Sequence, residues 1–136
     1  MAEWNRELIA YDPALRLGGP PIGPGDFSPP RGVFLVAKLG QAPVGCGGVR
    51  GLDATTGEVK RLFVSRRARG HGAGRRLLEA LERRARELGF ARLRLDSPGN
   101  DAPALALFHD AGYHPIDDYN GNARARYWFE KPLNAG

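Results

Sequence analysis

Residues 69–74 of this 136-residue chain read RGHGAG, and three glycines within five positions leave the backbone bare of Cβ atoms where a ligand could approach. Before them runs the apolar stretch EVKRLFVS (58–65). After them Leu77, Leu78, Leu81, Ala85 and Leu88 mark one face of a helix. A glycine turn between strand and helix offers several free amides at the positive end of the helix dipole, and phosphate suits that chemistry. A tight cap with glycines serving packing alone would read the same way. Two phosphate motifs fail: a P-loop needs Gly-Lys-Ser/Thr where Gly74 is followed by Arg75 and Arg76, and the dinucleotide spacing is absent.

Other reactive side chains carry weaker signals. Cys46, the sole cysteine, excludes an intrachain disulfide, and its setting GCGG reads as core filling in an apolar strand rather than as a nucleophile. His71, His109 and His114 show no zinc-ligand spacing with one another or with Cys46, so no metal is expected; His71 is placed to touch phosphate. Twenty Lys and Arg, seventeen of them Arg, against fifteen Asp and Glu give a net charge of +5, which suits an anionic ligand. Nucleic acid is the chief non-enzymatic alternative. It is disfavoured because Arg83 and Arg86 alternate with Glu79, Glu82 and Glu87, the pattern of a solvated, ion-paired helix face. No apolar run reaches the length of a signal peptide or membrane span, so a cytoplasmic protein without a membrane partner is expected.

The elements that must position these residues follow from periodicity and breakers. At 42% hydrophobic composition, residues 1–136 are expected to form a single domain. Trp4, Leu8, Tyr11 and Leu15 predict an amphipathic helix over the first fifteen residues, and GGPPIGPGDFSPPRG (18–32) predicts a long loop. Residues 33–39 and 43–50 read as a hairpin, and 58–65 as a third strand. A helix stopped by Gly89, a strand at 91–97 and a helix at 102–111 stopped by Gly112 come next. YHPI and RARYWFEKPL supply two last strands around DDYNGNA. This order indicates an α+β fold with one parallel crossover.

Arg69, Gly72 and Gly74 in the pattern Arg-x-x-Gly-x-Gly, preceded by KRLFV and followed by the leucine-rich helix, resemble the acetyl-CoA site of the GNAT superfamily of N-acetyltransferases. ALALFHDAGY (104–113) and YWFEKPL continue the resemblance over about 33–133. It implies a mixed, mostly antiparallel central sheet flanked by helices, here with a shortened N-terminal region. It also implies acetyl-CoA as co-substrate, with the pyrophosphate on the turn formed by Arg69, Gly70, His71, Gly72, Ala73, Gly74 and Arg75. Backbone groups of Leu62, Phe63 and Val64 would meet the pantetheine arm and thioester carbonyl. The implied reaction is direct attack of a primary amine in a ternary complex.

A lysine-like amine with a pKa of about 10.4 is protonated at neutral pH and needs a base. Glu58 stands where many members of the family carry that carboxylate; the plain alternative is an exposed strand-end glutamate paired with Lys60 or an arginine. Phe108 takes the cofactor-side position at which the family commonly has a tyrosine that protonates the departing sulfur. Water, Tyr113, Tyr119 or Tyr127 could supply that proton, or the fold could bind acyl-CoA without catalysis. Asp101 replaces the usual Asn or Gln, leaving Asn100 as the cofactor contact. Asp117, Asp118 and Tyr119 lie in a loop that shapes the acceptor pocket in similar proteins; they could attract a cationic amine or simply serve the turn. The short front end would leave a sheet edge that a second copy could cover as a homodimer. The acceptor itself stays open.

Overall fold

In the computed structural model, residues 9–10, 31–39, 42–65 and 72–133 are described. The elements are β1 (Ile9–Ala10), β2 (Gly32–Leu39), β3 (Ala42–Gly51), β4 (Thr56–Val64), α1 (Ala73–Glu87), β5 (Arg92–Ser97), α2 (Ala102–Asp110), β6 (His114–Ile116) and β7 (Tyr127–Pro132). They form one sheet in the order β1-β2-β3-β4-β5-β7-β6. Every neighbouring pair is antiparallel except β4 with β5. The expected α+β architecture is therefore the observed one, and α1 is the crossover between the two parallel strands.

One expectation is corrected at the front. Ile9 and Ala10 are not helical but pair with Val36 and Leu35 on the outer edge of β2. A short amphipathic segment gains little as a helix in water, whereas the open edge of β2 offers backbone partners. The rest of the expected N-terminal helix, and the Pro/Gly-rich segment before residue 31, lie outside the described residues.

α1 begins at Gly72, whose φ of 79° suits a residue without Cβ, and ends before Gly89 at φ 93°, the left-handed stop that its sequence promises. α2 begins at Asp101, whose carboxylate accepts a hydrogen bond from the Ala104 amide at 3.2 Å. The helices share one core with one face of the sheet. Val33, Leu35, Val49, Val59, Leu93, Leu95 and Phe129 pack there against Leu77, Leu78, Leu81 and Ala85 of α1 and Phe108 of α2.

Glu82 corrects a second expectation. It lies on the buried side of α1, not on the solvated one, where it accepts from the Tyr113 hydroxyl at 3.0 Å and from Lys131 Nζ at 2.9 Å. Its position beside Leu78 and Leu81 on the helix wheel places it at the margin of the apolar stripe, and the two donors offset its desolvation. The exposed ion pairs of the helix are Arg75 with Glu79 and Arg84 with Glu87.

Side chains alternate across a strand, so the opposite face of the sheet carries the other set. Arg50, Glu58, Arg94, Glu130 and His114 fall in register across five strands, a row of mostly alternating charge. No helix of the described residues is long and apolar enough to cross a membrane.

Candidate functional site

Of the glycine turn, Gly72, Ala73, Gly74 and Arg75 are described; Arg69, Gly70 and His71 lie outside the described residues. The first helical bond of α1 runs from the Arg76 amide to the Gly72 carbonyl at 3.1 Å. No side chain caps the helix and no acidic residue stands in its first turn. The amides of Ala73, Gly74 and Arg75 thus reach the helix start without an intrahelical partner, at the positive end of its dipole. The two glycines serve different ends. A Cβ on Gly72 would meet nothing within 4 Å, so this residue answers a backbone requirement and leaves open approach; one on Gly74 would come within 3.1 Å of Leu107 Cδ2, so this residue lets α2 close on α1. The Arg75 guanidinium turns away from the amides, to Glu79 at 3.1 Å and to the Asp110 carbonyl at 3.2 Å.

β4 leads toward this turn and parts from its parallel neighbour on the way. Its ladder with β5 consists of Thr56 with Arg92, Gly57 with Leu93 and Glu58 with Arg94, and stops there. Beyond that point β4 pairs only with β3, and β5 only with β7. On the side that would face β5, residues 59–64 consequently enter no strand ladder, and this is the side on which an extended ligand could add to the sheet. A bulge lies within this stretch. Arg61 adopts φ 61°, the one positive value among the described non-glycine residues, and the register with β3 slips between Cys46 and Gly48. The extra residue resets the alternation: Val59 and Leu62 both face α1, while Phe63 turns to the opposite face and is 58% exposed.

Glu58 sits at the last rung of the β4–β5 ladder, on the face away from the helices, with a side chain that is 0% exposed. It is therefore not the exposed strand-end residue of the plain alternative, although it does pair with an arginine and with Lys60. Oε1 accepts from Arg50 Nε at 3.0 Å. Oε2 accepts from the Tyr119 hydroxyl at 2.6 Å and Asn120 Nδ2 at 3.2 Å, with Lys60 Nζ 3.6 Å away. Glu58, the expected base, and Tyr119, one of the candidate proton donors, stand sixty-one positions apart in sequence and are thus in direct contact. Burial, followed by the bond to Glu58 and the charges of Glu58 and Asp96, pushes the Tyr119 phenol far above its ordinary range, opposed by the Arg94 guanidinium. That guanidinium lies 5.4 Å from the Tyr119 ring centroid.

Asp96, Asn120, Asn122 and Trp128 complete the cluster and were not singled out from sequence. Asp96 Oδ2 accepts from Asn120 at 2.6 Å and Asn122 at 3.1 Å, and Trp128 Nε1 donates to Asn120 Oδ1 at 2.9 Å. The alternation in RLRLDS already aligns Arg94 and Asp96 on one face, a signal that could have identified both.

The remaining candidates fall elsewhere. Phe108 is 6% exposed and packs edge-on against Tyr113 and beside Phe129, in the helix-face core. Tyr113 is buried and its hydroxyl is committed to Glu82. Tyr127 is exposed at the start of β7, its ring over Gly99 and stacked on Phe129. Asn100 is exposed immediately before the α2 cap. Asp118 caps the amides of Asn120 and Gly121, which is turn chemistry. Burial pushes the Cys46 thiol up against the pull of Arg61, so it stays protonated and fills space. Among the described residues no group of His, Cys, Asp and Glu could hold a metal ion.

Comparison with known proteins adds an independent finding. Residues 3–113 match the sequence profile of the Acetyltransferase (GNAT) family. A relative from Azospirillum brasilense named IAA acetyltransferase is 38% identical over 104 residues, 74% of this chain and 67% of that protein. An acetyltransferase from Streptococcus agalactiae superposes with a TM-score of 0.71 at 25% identity, over 80% of this chain and 72% of the other. N-acetylglutamate synthase from Neisseria gonorrhoeae, complexed with coenzyme A and N-acetyl-glutamate, superposes with a TM-score of 0.65 at 25% identity, over 74% of this chain and 26% of that one.

Proposed function

The chain belongs to the Acetyltransferase (GNAT) family and is an acyl-CoA-dependent N-acetyltransferase, and we propose that it moves acetyl from acetyl-CoA to a primary amine by direct attack within a ternary complex. The observation that carries this reading is the parting of β4 from β5 at Glu58 and Arg94, close in sequence to the uncapped start of α1. The edge of β4 beyond its ladder with β5 suits the pantetheine arm, which carries amide donors and acceptors of its own. The Leu62, Phe63 and Val64 backbone would hold the arm and polarise the thioester carbonyl through an amide. The amides of Gly72, Ala73, Gly74 and Arg75 would receive the diphosphate, with Arg69, Gly70 and His71 completing the turn. Asn100, ahead of α2, is a further cofactor contact in this scheme, and Phe108 supports it from the core.

Glu58 receives the proton that the acceptor amine must lose. Phe108 offers no hydroxyl to the departing sulfur, but a thiol with a pKa of about 8.5 leaves as a tolerable thiolate, so water suffices as its proton source. Tyr127, exposed at the start of β7, is the tyrosine free for that role. The test is thiol release from acetyl-CoA by the purified chain across a panel of amines, alongside calorimetric titration with coenzyme A. Amine-dependent thiol release with saturable coenzyme binding is expected; binding without release on any amine would leave an acyl-CoA binder and reject this mechanism.

A further inference from the structure

Glu58 cannot take a proton from a substrate by contact. Its side chain is 0% exposed, and Arg50, Tyr119, Asn120 and Lys60 surround its two oxygens. A carboxylate has about four lone-pair sites; hydrogen bonds from Arg50, Tyr119 and Asn120 take three, Lys60 Nζ stands 3.6 Å from Oε2, and with no exposed surface the group offers a substrate no approach. A base must come within hydrogen-bond reach of the proton it removes, directly or through one intermediary. Three of the four neighbours cannot be that intermediary. Arg50 and Lys60 in their charged forms have donors and no acceptor, and the carbonyl oxygen of Asn120 is taken by Trp128 at 2.9 Å. Of the donors to Glu58, only the Tyr119 hydroxyl, at 2.6 Å, also keeps lone pairs of its own with which to accept. Tyr119 is also only half-buried, so a small molecule can meet it where it cannot meet Glu58.

We propose that Tyr119 is the residue that touches the acceptor amine and relays its proton to Glu58, which deepens the transferase reading and rests on it. The relay balances in one concerted movement: an ammonium N–H proton passes to the phenol oxygen as the phenol proton passes to Glu58 Oε2. The amine becomes neutral, Glu58 becomes a neutral acid, and Tyr119 ends with the one proton it began with. The phenol need never ionise. Its environment agrees, because burial and the neighbouring carboxylates keep it protonated at neutral pH. The charged groups facing the pair are Arg50 on β3, Lys60 on β4 and Arg94 and Asp96 on β5, each held by an ion pair or a hydrogen bond within this face.

The experiment compares the full-length wild type, Tyr119→Phe, Glu58→Gln and the double variant, following thiol release against pH with two acceptors. One is an alkylamine with a pKa of about 10; the other is an aromatic amine already neutral at pH 7. With the alkylamine, Tyr119→Phe should lower kcat by about 100-fold or more, leave KM for acetyl-CoA unchanged and shift activity toward the amine's own pKa. With the aromatic amine, which needs no deprotonation before attack, the loss should be at least about 10-fold smaller. The double variant should be no slower than the worse single one. Wild-type turnover of the alkylamine by Tyr119→Phe overturns the relay, and so does an equal loss with both amines, which a merely structural role would produce. If the wild type acetylates neither amine, the primary-amine reaction proposed above falls and the relay with it. Should Glu58→Gln fail to fold, the two-amine comparison on Tyr119→Phe decides alone.

Discussion

Asp96 holds the loop of residues 117–126 to the sheet, because its Oδ2 atom accepts from Asn120 and Asn122 and pairs with Lys60 Nζ at 3.3 Å. Burial alone would raise its carboxyl, but those donors outweigh burial and hold it below the usual carboxylate range. A depressed folded value means that its contribution is complete above the unfolded pKa of about 3.9 and is lost as pH falls through the folded value. Asp96→Asn should therefore cost about 1–3 kcal/mol near neutral pH, and the gap in melting temperature from wild type should begin to narrow below about pH 4 and shrink further as pH falls toward the lower folded value. Melting curves from pH 3 to 7 check this, and a gap that stays constant with pH would show that charge is not what Asp96 supplies. Glu58 and Tyr119 could each be picked out from the sequence, one by its place on a strand and one by its loop. Their contact could not, because it depends on how β4, β5 and β7 register, and registers between distant strands leave no mark in local spacing. Arg50 was hidden for the same reason, and for Asp96 the alternation of β5 gives the face but not the partners, which only neighbouring strands and the loop bring to it.

α1 lies close to the sheet because β3 is bare where the helix crosses it. A Cβ on Gly47 would stand 3.0 Å from both Leu62 Cδ1 and Leu81 Cδ1, and one on Gly45 would stand 3.0 Å from the Phe63 carbonyl. Gly47→Val should lose about 1–3 kcal/mol through overpacking, whereas Gly72→Ala, which meets no atom, should lose about 1–2 kcal/mol through backbone strain at φ 79°. Urea unfolding separates the two causes: replacing Gly72 with Asn, which tolerates the left-handed region, should recover much of the loss, while no small polar residue recovers position 47. If the Asn variant is as unstable as the Ala variant, strain is the wrong account of Gly72. At this scale the sequence was largely readable. Leucine spacing placed α1, glycines marked the ends of both helices, and alternation placed β5, because each of those signals is local. β1 was misread since two residues carry too little pattern to tell an edge strand from a helix turn, and pairing to β2 decides between them. The Arg61 bulge was equally silent, although it determines which face receives Leu62 and which Phe63.

The charges of the whole molecule are distributed in a way that matters for binding. Net charge is +5, yet Arg50, Arg75, Arg84 and Arg94 are each tied to a carboxylate, so the excess does not sit on those side chains. Long-range attraction of an anionic coenzyme is then a diffuse, salt-screened effect on its arrival, and retention falls to the short-range amides at the start of α1. This division can be measured. A ligand that binds only the folded chain at about 100 times its Kd adds about 2.7 kcal/mol, which for a chain of this length raises Tm by roughly 8–10 °C. Coenzyme A should produce such a shift, and raising the salt should reduce its association rate more than its dissociation rate changes. Pantetheine, which can occupy the β4 edge but has no diphosphate for the helix start, should at the same concentration give a shift of under about 2 °C. Equal shifts from the two compounds would place the binding energy on the strand edge alone and remove the α1 N-terminus from the account.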